Sequence, residues 1–189
     1  MTPQAWFSLL ETPTLPDLVA PAQPPPLPAE IESSCARLES ALPPGAADPR
    51  AIRALILLWY DQWTRAHELA QALENRDGAL VHALVHRREP DFWNSKYWWR
   101  RTGQHPAFTA LAQRARPWLK QHAPAEWTRR LIRNDAWDPF ALVDLIETIL
   151  TTSDAAAARL ARQLQHIEFQ TVLAVFTGTV PPGDSTGRV

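Results

Sequence analysis

Three dipeptides, Asp48-Pro49, His105-Pro106 and Asp138-Pro139, together with the tripeptide Glu89-Pro90-Asp91, divide this chain into separate helices. A capping side chain accepts from free helix N–H groups. The proline behind it has no N–H to lose and a φ already set for the first helical turn, so each dipeptide marks a helix start. At Glu89-Pro90-Asp91 the proline pushes Glu89 out of helical geometry and Asp91 can cap the next helix. That reads as a tight turn between two antiparallel helices.

Between these marks apolar residues recur at spacings of three and four, and no alternating β run is present. Helices are predicted over 29–41, 50–75, 78–88, 92–101, 106–122, 126–133, 139–150 and 154–176. Asp77, Asp91 and Ser153 are the expected caps, and Pro117 is expected to kink or restart its helix. The 50–75 helix rests on one unbroken stripe of Leu55, Leu58, Trp59, Ala66, Leu69, Ala70 and Leu73. The fold class is all-α: antiparallel helical hairpins, either stacked as in tetratricopeptide arrays or packed as an irregular bundle. The expected plan is a proline-rich arm over 1–27, a single domain over 28–177 and a disordered tail over 178–189. The arm is extended or disordered, with Trp6, Phe7, Leu9 and Leu10 as anchors should it dock.

The lone Cys35 excludes a disulfide framework and a thiolate metal cluster. The apolar run over 5–10 is too short for a secretory core, and no run reaches the ~20 residues of a membrane span. A cytoplasmic protein with no membrane partner is expected. Net charge is −1, yet eleven basic residues stand against three acidic ones between Arg87 and Arg133, an imbalance that an anionic partner could use.

Chemistry concentrates around the proline turn. His82 and His86 lie four apart on one helix face, with Glu89 at seven. Two imidazoles so spaced can share a divalent transition metal if a third ligand joins them. His67 is one candidate for that ligand, and Asp144, Glu147 and Glu168 on later helices are others. The glutamate that directly succeeds the first histidine in zinc proteases is replaced by Ala83. Arg87, Arg88, Glu89, Asp91, Asn94, Tyr97, Trp99 and Arg101 form a basic and aromatic set able to grip a phosphate or carboxylate or to stack on a ring. Each feature also has a structural role open to it: arginines end helices, Asp91 caps one, and tryptophans, Trp98 among them, fill cores. Phosphate-cradling glycine loops, dinucleotide fingerprints and nucleophile elbows are absent.

The motif His82-x-x-x-His86-Arg87-Arg88-Glu89-Pro90-Asp91-x-x-Asn94-x-x-Tyr97-Trp98, with Gly103-x-His105-Pro106, Trp137-Asp138-Pro139, Val143-Asp144-x-x-Glu147 and Gln165-x-x-Glu168 further along, resembles a family of small uncharacterised helical proteins from bacteria, with similar sequences in fungi. The resemblance covers 50–176 and carries no established activity. It implies that the hairpin and the acidic segments belong to one site.

Three functions fit these features. The first is a module that binds a protein or a small anionic ligand through the basic and aromatic hairpin surface. The alternative is a metal-dependent, hydrolase-like enzyme with a histidine and carboxylate site. The third is nucleic-acid binding.

Overall fold

The computed structural model describes residues 4–180. These are all-α apart from one β-hairpin with two residues in each strand. In chain order the elements are α1 (Gln4–Phe7), a 3-10 turn (Ser8–Leu10), α2 (Ala29–Glu39), α3 (Pro49–Trp59), α4 (Trp63–Gln71), α5 (Arg76–Arg88), α6 (Phe92–Thr102), α7 (Pro106–His122), α8 (Ala125–Leu131), β1 (Ile132–Arg133), β2 (Ala136–Trp137), α9 (Pro139–Thr152) and α10 (Ala155–Thr177). The packing is that of an irregular bundle, with no regular stacked repeat.

The proline signals mark helix starts as expected. Asp48, Asp91 and Asp138 each accept from a backbone N–H of the turn they open, and His105 accepts from Ala107. Elsewhere the boundaries differ from the sequence expectation. Asn75, not Asp77, caps α5, and Asp154, not Ser153, caps α10. Pro117 sits inside α7 without ending it. The predicted basic helix gives up its last two residues to β1, which pairs antiparallel with β2.

The predicted 50–75 helix is two helices. Asp61, at φ 62°, turns the chain between α3 and α4. The reason lies far along the sequence. The Arg88 guanidinium donates to the Leu58 carbonyl, which also accepts from the Asp61 N–H where α3 ends, and to Asp61 Oδ1 at 2.5 Å. A continuous apolar stripe cannot reveal a break stabilised from 30 residues away.

Residues 4–27 form an arm docked on the bundle, helical over 4–10 and irregular beyond. Trp6, Phe7, Leu9, Leu10 and Leu18 are buried. The Asp17 carbonyl accepts from Arg88 (3.0 Å), and the Ala20 N–H donates to the Arg88 carbonyl (2.8 Å). The expected tail from 181 onward lies outside the described residues. Within the described residues, no helix is long and apolar enough to cross a membrane.

Two apolar clusters make the core. One joins the arm, α2, α3, α4, α5 and the second half of α10; the other joins α7, α8, α9 and the first half of α10. α5 is the central element, with eleven of its thirteen residues buried. Its contacts set the site. Gly78 allows α5 to cross the end of α4 closely, because a Cβ there would stand 2.4 Å from the Leu73 Cβ. On the opposite side Ser95 of α6 donates to the Ala83 carbonyl at 2.8 Å. α4, α5 and α6 thus lie side by side around one histidine-bearing face.

A candidate metal centre between three helices

α4 supplies His67, and α5 supplies His82 and His86 one turn apart. One nitrogen from each ring can be chosen so that all three lie within 4.8 Å of one another. His67 Nε2 and His82 Nε2 are 2.8 Å apart. The His82 and His86 rings stack at 4.9 Å, and the His67 ring meets both nearly edge-on at 4.5 and 5.2 Å. Ligands on one tetrahedral zinc, with bonds of about 2.0–2.1 Å, stand about 3.3 Å apart, so small side-chain rotations bring these nitrogens to a common ion.

The surroundings decide the charge of the cluster. His82 and His86 are buried, whereas His67 is half-buried and gives the cluster its contact with solvent. Burial, and then the neighbouring His67 and His86 imidazoles, push the His82 pKa down to about 3. Burial also lowers that of His86, against the pull of the Glu89 carboxylate. Both rings are therefore neutral at pH 7 and offer lone pairs without first losing a proton.

Three further side chains orient the cluster. Glu89 accepts from His86 Nδ1 at 3.0 Å, the carboxylate–imidazole contact that frees Nε2 for a ligand. The Asn94 amide NH2, 3.1 Å from His86 Nε2, donates to that same lone pair and would have to turn aside for a metal. Trp98 stacks on His82 with ring centres 3.8 Å apart and planes 16° from parallel. His82 Nδ1 is buried with no hydrogen-bond partner. Such an orphan costs about 1–3 kcal/mol, and the buried indole nitrogens of Trp59, Trp99 and Trp137 are in the same state.

Most other residues expected at the site are elsewhere. Arg87 and Arg88 are not surface groups: both side chains are fully buried. Arg87 holds Glu168 through two hydrogen bonds, one of them 3.0 Å long, and so ties α5 to α10. Arg88 is committed to Leu58, Asp61 and Asp17. A hairpin surface led by these two arginines is therefore ruled out, and Glu168 is Arg87's partner rather than a metal ligand. Asp144 and Glu147, each about half exposed, face Lys96 at 2.6 and 3.8 Å and stay apart from the histidines. Asp91 caps α6 by accepting from the Asn94 N–H (3.2 Å). Trp99 is core, packed edge-on to Phe108. Tyr97 and Arg101 do lie on the surface.

Five of the eleven basic residues in the 87–133 tract, Arg87, Arg88, Lys96, Arg116 and Arg133, are engaged with acids, two of them, Arg87 and Arg88, in the interior. That weakens the electrostatic basis for nucleic-acid binding.

Trp98, a core filler by its sequence, belongs to the site instead. Its place there is visible in the sequence only as its spacing from Asn94, four residues earlier on the same helix. No protein family, no curated protein and no solved structure matches the chain.

Proposed function

We propose that this protein binds a divalent transition metal through His67, His82 and His86 and uses it in hydrolysis. The convergence of three imidazoles from two helices carries this reading. Three neutral nitrogen ligands leave a coordination position for water, as in catalytic rather than structural zinc sites. A metal held by these three residues would supply an acidified water as a nucleophile at neutral pH. His67 faces the solvent from which water and substrate enter, Glu89 fixes the tautomer of His86, and Trp98 holds the plane of His82. No carboxylate from Asp144, Glu147 or Glu168 takes part. We place the activity in the cytoplasm, on the single thiol Cys35, which is buried and held in its protonated form by a pKa raised to about 11.

Elemental analysis of protein purified without an affinity tag tests the reading. About one equivalent of zinc, manganese, iron, cobalt or nickel per chain is expected, falling at least tenfold in His67→Gln/His86→Gln protein with an unchanged circular dichroism spectrum. Less than about a tenth of an equivalent in the parent protein, even after metal is supplied, contradicts it.

A further inference from the structure

A second feature lies on the solvent side of α6. Trp93, Tyr97 and Arg101 succeed one another at intervals of four residues and form a single row on the helix. Trp93 is 75% exposed and Tyr97 37%, unusual for two large aromatic groups side by side. Their rings are 13° from parallel, with centres 6.4 Å apart. A planar ring placed between two others needs about 7 Å, two stacking contacts of about 3.5 Å each. The Arg101 guanidinium closes the row, 5.9 Å from the Tyr97 ring centre and 5.4 Å from that of Trp98.

At that end of the row lies a cavity of about 560 Å³, within the range of small-molecule sites. Trp98 and Arg101 line it from α6, Gln71 from the end of α4, Glu74 and Asn75 from the α4–α5 connection, and Arg76 from the start of α5. Among the described residues neither Arg76 nor Arg101 makes an ion pair. Arg76 donates only to the Gln104 carbonyl (3.3 Å), and Arg101 only to the Tyr97 hydroxyl (3.5 Å). Asp77, in the same first turn as Arg76, is turned away to His105 at 2.8 Å. Glu74 is the single acid on the lining, against two guanidinium groups, and the positive end of the thirteen-residue α5 helix faces the same place.

We propose that this row and cavity bind a planar aromatic ring carrying an anionic group, of about the size of a nucleoside monophosphate. The ring stacks on Trp93 and Tyr97, and the anion sits between Arg101 and Arg76. Four residues of helix, a rise of about 6 Å, separate the stacking residue Tyr97 from Arg101, which matches the span from base to phosphate in such a ligand. Stacking is tolerant of ring identity, whereas paired guanidinium forks select the anion. Phosphate and carboxylate share this chemistry. The site does not depend on a metal, although Trp98 separates it from His82 by a single stacked ring.

Calorimetric titration of the full chain in the presence of EDTA tests the proposal without involving the histidine centre. The probes are adenosine 5′-monophosphate, 1-naphthoate, adenosine and inorganic phosphate. At least one of the first two is expected to bind at least about tenfold more tightly than adenosine or phosphate, and which of them does so assigns the anion to phosphate or carboxylate. Trp93→Ala and Arg101→Ala, both exposed and harmless to the core, should each weaken that binding at least about tenfold. The proposal is overturned if neither monophosphate nor naphthoate binds below millimolar concentration. It is equally overturned if both variants bind as the parent does, if inorganic phosphate binds as tightly, or if only single-stranded oligonucleotides bind.

Discussion

His67 Nε2 and His82 Nε2 face each other at 2.8 Å across the α4–α5 contact, although fifteen residues separate them in the chain. One nitrogen donates and the other accepts, so each lone pair available to a metal depends on where a single proton lies. This contact links the packing of two helices to the chemistry between them.

Acid should weaken the protein through the same cluster. The folded His82 pKa of about 3 lies below the ordinary value of 6.5, so at intermediate pH the unfolded chain holds a proton that the folded chain does not. Stability from this group is complete above pH 6.5 and is lost as pH falls toward 3. The slope is at most about 1.4 kcal/mol per pH unit, reduced by screening on the His67 side, and His86 adds in the same direction. Urea midpoints at pH 7 and pH 5 should fall with acid in the parent and change less in His82→Gln.

Glu89 should act through His86 rather than on the fold. Glu89→Gln keeps the shape but loses the carboxylate that fixes the imidazole, and metal affinity should drop about 10–100-fold. Its thermal midpoint without metal should stay close to the parent's, because the side chain is partly exposed. Competition against a chromophoric chelator measures the first quantity and calorimetry the second.

The Arg87–Glu168 pair should be costly to break and cheap to replace. Arg87→Met alone leaves a buried carboxylate without a partner and should cost about 3–5 kcal/mol in denaturant unfolding. Arg87→Met/Glu168→Leu should recover most of that loss, which would mark the pair as a structural tie rather than part of a site.

The arm should contribute as part of the core. Leu10 is fully buried, and Leu10→Ala should cost about 2–5 kcal/mol by denaturant midpoint. A value under about 0.5 kcal/mol would be that of an exposed position and would contradict docking of the arm.

The helices and the His82/His86 pair are legible in the sequence because capping, proline and the 3.6-residue period are local. His67 is reachable by its short turn to α5. Burial of Arg87 and Arg88 is not, since their partners Glu168 and Asp17 lie 81 and 71 residues away and no local pattern encodes such a distance. α5 reads as a helix with a basic, solvent-facing end, yet α10, α3 and the arm cover it. The same blindness groups Asp144 and Glu147 with the histidines when Lys96 is the group that holds them. Trp98 and Trp99 are adjacent in sequence, and only tertiary packing decides that Trp99 is core while Trp98 stacks on His82.

Cobalt titration of metal-free protein reads out the histidine centre itself, since Co²⁺ bound by imidazoles in a low-coordinate site absorbs in the visible. The three-histidine centre predicts a visible spectrum that saturates at about one equivalent and disappears in folded His67→Gln, His82→Gln and His86→Gln proteins alike. A spectrum that never develops, or that persists unchanged when any one of these histidines is replaced, would contradict it.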